Sequence, residues 1–129
     1  MRIIATTLTL TVPSPKASSG FLVRHFGFEE RLSFDGGVAL SHPDGGPELF
    51  FLERGIAVLD EGQRDEVARG IIIALTVEDL DGHWRRLLCD GAADDLVIVE
   101  DSWGERSMQV ADPNGVIVQL VEWVDERPY

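Results

Sequence analysis

A chain of 129 residues, 44% of them hydrophobic, is long enough to bury a core as one compact domain. Its 23 acidic and 11 basic side chains give a net charge of −12, which repels nucleic acid and anionic membrane and serves either solubility or the attraction of cationic ligands. The one cysteine, Cys89, excludes an intramolecular disulfide and fits a reducing cytoplasm; no signal peptide and no run long enough to span a membrane is expected.

Met1-Arg2-Ile3-Ile4 leads straight into a strand. From Ile3 to Val12 apolar and hydroxyl residues alternate, which predicts a half-buried strand with Leu8, Leu10 and Val12 on one face and Thr7, Thr9 and Thr11 on the other. Pro13 and Pro15 stop it. Phe21, Leu22, His25 and Phe26 fall at helical spacing, so a helix is expected from about Pro15 to Phe26, ended by Gly27. Glu30 to Phe34 reads as a strand, Asp35-Gly36-Gly37 as a hairpin turn, Val38 to Ser41 as its return, and Glu48 to Glu53 as a fourth strand after Pro43-Asp44-Gly45-Gly46. This first module, residues 1–54, is βαβββ.

Residues 55–70 are charged and aperiodic and read as a mobile linker with at most one helical turn. Module two, residues 71–124, opens with the strand Ile71 to Val77. Glu78 and Asp79 put negative charge at a helix start. Leu80, Trp84, Leu87 and Leu88 make that helix's apolar stripe, and Asp90-Gly91 end it. Cys89 is expected as a buried, inert thiol. Leu96 to Glu100 reads as a strand, Asp101 to Gly104 as a loop, and Glu105 to Ala111 with Val116 to Val124 as a hairpin. The tail 125–129 is polar and loose.

The chain is thus built twice. Thr7-Leu8-Thr9-Leu10-Thr11-Val12 parallels Ile72-Ile73-Ala74-Leu75-Thr76-Val77. Each copy closes on a turn and a strand: His42-Pro43-Asp44-Gly45 before Leu49 to Glu53, and Asp112-Pro113-Asn114-Gly115 before Val118 to Glu122. Two such modules, too long and too few for a solenoid, are expected to face each other across one concave floor.

The stretch Trp103 to Gly115 followed by Val118-Gln119-Leu120-Val121-Glu122, with Gly27-Phe28 after the first helix, resembles the vicinal oxygen chelate superfamily. That superfamily includes glyoxalase I, bleomycin- and fosfomycin-resistance proteins and extradiol dioxygenases, and the likeness covers nearly the whole chain. It implies an α+β fold of two βαβββ modules forming a curved mixed sheet with a concave ligand cavity. The Asp-Pro-Asn-Gly turn is then structural, locking the register of the last hairpin.

In the family's enzymes the resemblance implies a divalent metal held by one residue on the first and one on the last strand of each module. The repeat puts those positions at Thr7, Phe50, Ile72 and Gln119, none of which is a good ligand for a dication. No metal and no cofactor are therefore expected. His25, His42 and His83 are expected off the floor, although His42, near the sheet edge, is within reach of a ligand.

With Leu8/Leu10/Val12, Ile73/Leu75/Val77, Val118/Leu120, Met108 and Val110 turned to the helices, the opposite parity should line the cavity. It comprises Thr7, Thr9, Phe50, Ile72, Ala74, Ile117, Gln119 and Val121, with Ser107 and Gln109 on the penultimate strand and Phe34 as a wall. Trp103, in a loop before a glycine, resembles a groove-lining tryptophan of bleomycin-resistance proteins; the alternative is a cap on the sheet edge or a subunit contact. Trp123 fits interface, core or pocket rim. Arg106 reads as a salt-bridge partner, and Glu53 and Glu122 as solvated strand ends.

The expected function is metal-free binding of the bleomycin-resistance type, sequestering an aromatic or cationic antibiotic or metabolite at Trp103, Phe50, Thr7, Thr9, Ser107, Gln109, Gln119, Phe34 and His42. The alternative is a metal-dependent lyase, isomerase or dioxygenase of the same superfamily. The expected partners are a small molecule and a second copy of the chain in a homodimer, with neither nucleic acid nor membrane.

Overall fold

Alternation, proline stops and glycine turns build ten elements, all seen in a computed structural model that describes residues 1–129. The chain divides into two units: Met1–Gly70 with Asp112–Asn114, and Ile71–Ala111 with Gly115–Tyr129. The first holds β1 (Thr7–Val12), α1 (Pro15–Phe26), β2 (Glu29–Phe34), β3 (Gly37–Ser41) and β4 (Glu48–Glu53). The second holds β5 (Ile72–Thr76), α2 (Leu80–Cys89), β6 (Val99–Glu100), β7 (Glu105–Ala111) and β8 (Ile117–Trp123). Both are βαβββ, and the fold is α+β.

The sheet of unit 1 runs β1-β4-β3-β2, with β1 parallel to β4 and the other pairs antiparallel. β1 begins at Thr7 rather than Ile3. Thr7 lies opposite Glu48, the first residue of β4, and the preceding Pro47 has no N–H to extend the ladder. Leu8, expected in the core, is 43% exposed near the open start of this edge strand, whereas Leu10, Val12, Leu49 and Phe51 are buried.

Helix α1 is fastened at both ends. Ser14 caps it, its Oγ accepting from the Ala17 amide at 3.3 Å, and Pro15 takes the first helical position, where no N–H is needed. Asp112 is buried and accepts a hydrogen bond from Ser18 Oγ and another from the Asn114 amide at 2.8 Å. Asn114 Nδ2 donates to Ser14 O and to Ser18 Oγ, both at 2.7 Å, and its Oδ1 accepts from the Ser14 amide at 3.2 Å. The Asp-Pro-Asn turn therefore also secures the first turn of α1. At the other end Gly27 adopts φ +74°, and its amide donates to Leu22 O.

The connector forms no helix, but it has bonds of its own. The Gly55 amide donates to Arg64 O (2.6 Å), Arg64 Nε to Leu59 O (2.6 Å), and the Ala68 amide to Thr11 O (2.7 Å).

The sheet of unit 2 runs β5-β8-β7-β6 with the same senses. Asp79 caps α2 at φ +55°, accepting from the Gly82 amide at 3.1 Å. A Cβ on Gly82 would lie 2.2 Å from that carboxylate, so the position admits no larger residue without displacing the cap. Leu80 and Leu87 are the buried residues of α2. Trp84 is half-buried, and its Nε1 donates to Leu96 O at 2.6 Å. With that carbonyl taken, only Val99–Glu100 of the expected strand pairs with β7. Cys89, expected buried, is exposed at the end of α2. No helix is long and apolar enough to cross a membrane.

Candidate ligand-binding faces

In each unit one sheet face is covered by the helix, and the residues of opposite parity form an open face. In unit 1 Phe50 lies opposite Thr9 on β1 and Ala39 on β3. Thr7 and Thr9 are exposed and Phe50 is half-buried. Thr7 Oγ1 donates to Glu48 at 3.4 Å. Phe34 is 41% exposed, and its ring centroid is 5.9 Å from that of Phe50, tilted by 58°. It owes its position to Gly37, where a Cβ would fall 2.3 Å from the ring. The open face of unit 1 is thus aromatic with a threonine border.

His42 is committed elsewhere. Its Nε2 donates to Phe26 O at 2.9 Å, its Nδ1 accepts from the Asp44 amide at 3.0 Å, and its ring stands edge-on to Phe28. Both nitrogens serve the backbone, leaving none for a ligand. Asp44 Oδ2 lies 3.8 Å from Nδ1, but a nitrogen that accepts from an amide carries no proton to donate, so the shorter bond decides the tautomer.

The open face of unit 2 is polar and linked. Gln109 and Gln119 lie opposite each other across β7 and β8. Gln109 Nε2 donates to Gln119 Oε1 (2.9 Å), and Gln119 Nε2 donates to Glu105 Oε1 (3.2 Å). The other Glu105 oxygen accepts from Trp103 Nε1 at 3.1 Å. The loop carrying Trp103 is closed on itself: the Asp101 amide donates to Glu105 O (3.0 Å), Asp101 Oδ1 accepts from the Glu105 amide (3.1 Å), and Gly104 takes φ +90°. The tryptophan is 67% exposed, with its N–H anchored. Ser107, half-buried, lies opposite Val121, which is buried rather than open, at 5% exposure. Trp123, opposite Glu105, meets Tyr129 edge-on, and its buried Nε1 has no partner within the chain.

Glu105 escaped the sequence reading. The signal was present: it shares the parity of Ser107 and Gln109 and stands two residues after Trp103. Glu122 needs correction too. Instead of being solvated, it accepts from the Leu80 amide at 2.8 Å and from Arg106 at 3.1 Å. Arg106 also pairs with Asp81 at 3.1 Å and lies 3.8 Å from Glu100. The guanidinium holds the Asp81 carboxyl below its ordinary value of 3.8. This cluster lies on the helix side of the sheet and fastens α2 to it.

Two βαβββ units with these open faces define a class, and sequence comparison names it. The profile of the Glyoxalase/Bleomycin resistance protein/Dioxygenase superfamily matches residues 4–120, and the chain belongs to that superfamily. No curated protein matches it in sequence. Solved structures share the fold. A glyoxalase/bleomycin resistance protein/dioxygenase from Nocardioides superposes with a TM-score of 0.79 at 18% identity, covering 100% of this chain and 89% of that one. TioX from Micromonospora sp. ML1 gives 0.69 at 23%, covering 92% and 98%. Lactoylglutathione lyase from Agrobacterium tumefaciens gives 0.71 at 18%, covering 94% of each.

The strand registers test whether this chain fits the superfamily's metal. Phe50 pairs with the residue two beyond Thr7, and Gln119 with the residue two beyond Ile72. The repeat therefore equates Thr7 with Ile72 and Phe50 with Gln119. A hydroxyl, a phenyl, a butyl and a carboxamide do not make a dication site. Nor does any group of three or more His, Cys, Asp and Glu side chains come close enough to hold an ion.

Proposed function

We propose that this protein binds a small organic molecule, aromatic or cationic, and sequesters it without chemical change, in the manner of a bleomycin-resistance protein. The observation that carries the reading is the linked series Gln109, Gln119, Glu105 and Trp103. It pairs an anchored, exposed indole with a carboxylate and two amides, which suits stacking on a planar ligand and orientation by a few polar groups. The Phe34–Phe50 pair and the threonines Thr7 and Thr9 of unit 1 supply a second surface of the same kind, and Ser107 a further hydroxyl. The donor set supports binding rather than metal-assisted chemistry. The exposed sheet edges β2 and β6 favour a homodimer as the working form.

The test is a thermal-shift screen of planar cationic antibiotics and of Ni, Zn and Fe salts, since only a partner of the folded state raises its melting temperature by mass action. A planar cation should stabilise the protein and be recovered unaltered after incubation. Trp103→Ala should weaken that binding about tenfold, as expected for loss of a stacked ring and its buried area. Stoichiometric metal in the purified protein, or conversion of the ligand, would replace this reading with the superfamily's enzymatic alternative.

A further inference from the structure

Asn114 is the only asparagine of the chain, and Gly115 follows it. An asparagine side chain can be attacked at Cγ by the backbone nitrogen of the next residue, and a glycine there offers no Cβ to crowd the ring that forms. Gly115 is exposed at φ +86°, and Asn114 is half-buried. The corresponding turn of unit 1, His42 to Gly45, carries Asp44 in this place, and its Gly45 amide is spent on His42 O at 3.0 Å. No turn carbonyl takes up the Gly115 amide. The attacking nitrogen is therefore at hand, and the constraint falls on the group to be attacked.

That group is latched to the start of α1. Asn114 Nδ2 donates to Ser14 O and to Ser18 Oγ, both at 2.7 Å, and Oδ1 accepts from the Ser14 amide at 3.2 Å. The nitrogen that has to leave is held by two short bonds, and attack requires the carboxamide to turn from α1 onto its own chain. A carboxylate at position 114 cannot restore the latch. It has no N–H for Ser14 O, so two acceptors would face each other there. It would also compete with Asp112 for the one hydroxyl proton of Ser18, which Asp112 now accepts, and it would add a second negative charge beside that buried carboxylate.

We propose that Asn114 is a site of spontaneous covalent modification, gated by release of the start of α1 and preventing its re-closure. In the opened state the Gly115 nitrogen bonds to Asn114 Cγ, the Cγ–Nδ2 bond breaks, and Nδ2 leaves as ammonia with the proton that the Gly115 amide gives up. Water then adds to either carbonyl of the succinimide ring and breaks its bond to that nitrogen. The product is aspartate, or isoaspartate with an extra carbon in the main chain of the turn. No electrons are exchanged, and water is the only co-reactant. The rate follows the fraction of molecules in which the latch is open, so the reaction reports a local unfolding and makes it permanent. The inference stands apart from the binding reading above, none of whose residues touches Asn114.

The test is incubation of the full chain in mildly alkaline buffer, with deamidation followed by peptide mass spectrometry. Deamidation at Asn114 should be at least about tenfold slower in the folded chain than in the chain unfolded by urea. Ser18→Ala removes one acceptor of Nδ2 and should speed the folded-state reaction about fivefold, as expected for loss of one hydrogen bond. Arg106→Gln, which loosens the start of α2 instead, should change it less than about twofold. In wild type, urea well below the unfolding transition should scarcely alter the rate, because a local opening exposes little surface. Asn114→Asp, which stands for the product, should lower the midpoint of urea unfolding. Equal rates in folded and unfolded chains, a rate that rises with urea in step with global unfolding, a folded Ser18→Ala no faster than wild type, or an Asn114→Asp as stable as wild type would each overturn the inference. The urea series on wild type decides the gate even where Ser18→Ala does not fold.

Discussion

The two units build the same βαβββ order and strand pairing on different polar chemistry. In unit 1 the helix is held by neutral hydroxyls and amides around one buried carboxylate: Ser14, Ser18, Asn114 and Asp112 at its start, and His42 at its end. In unit 2 it is held by ions, with Arg106 bridging Asp81 and Glu122 and Glu122 reaching the Leu80 amide. The proline explains much of the divergence. Glu122 has an N–H to accept at the first helical position of α2, whereas the equivalent position of α1 is Pro15, which has none. Glu53 is therefore left without that structural duty and stands exposed. The open faces diverge in the same sense, apolar and aromatic in unit 1 and hydrogen-bonded in unit 2. A duplicated backbone can thus hold its topology while one copy becomes the more polar on both sides of its sheet.

Asp112→Ala tests the buried half of this contrast, and the largest effect is expected there. The substitution leaves Ser18 Oγ and the Asn114 amide without their acceptor at a site only 5% exposed. Loss of hydrogen bonds to a buried carboxylate should cost about 2–3 kcal/mol, read by urea denaturation. A cost below about 0.5 kcal/mol would mean that the turn contributes no more than a surface loop.

Arg106→Gln tests the ionic half and should cost less, because the cluster is partly open to water and salt screens it. Its pH dependence has a definite sign. The Asp81 carboxyl, which Arg106 holds below its usual 3.8, stabilises the fold above that value. The contribution disappears as pH falls through the depressed folded-state value. The melting temperatures of wild type and variant should therefore differ at pH 6 and converge as the solution is taken well below pH 3.8. A gap that persists in strong acid or in 1 M salt would show that packing of the arginine stem, and not its charge, holds α2.

Period and punctuation carried most of the fold. Leu10/Val12, Met108/Val110 and Val118/Leu120 lie on the buried faces their parity dictates, and the two copies share one strand order. What escaped were features decided by a single distant partner. Leu96 looks like strand, but its carbonyl belongs to the indole of Trp84. Glu122 looks like a solvated strand end, but a helix start lies within reach. His42 looks available, but the last carbonyl of α1 and the Asp44 amide claim both its nitrogens.

Glu105→Gln gives the smallest change in stability and the sharpest test of the open face of unit 2. The carboxylate accepts from both Trp103 and Gln119, and its replacement keeps one acceptor oxygen where two are in use. At a partly exposed position the global cost should stay within about 0.5 kcal/mol. The tryptophan, however, must then compete with Gln119 for that one oxygen, so its contact is no longer fixed. Trp103 is one of three tryptophans, so a single-tryptophan background with Trp84→Phe and Trp123→Phe isolates its signal. In that background Glu105→Gln should lower the steady-state anisotropy and raise acrylamide quenching of Trp103, while urea denaturation stays nearly unchanged. If Trp103 keeps its anisotropy, the closed Asp101–Glu105 loop alone orients the indole. The polar series would then be a feature of the sheet surface and not the support of a binding residue.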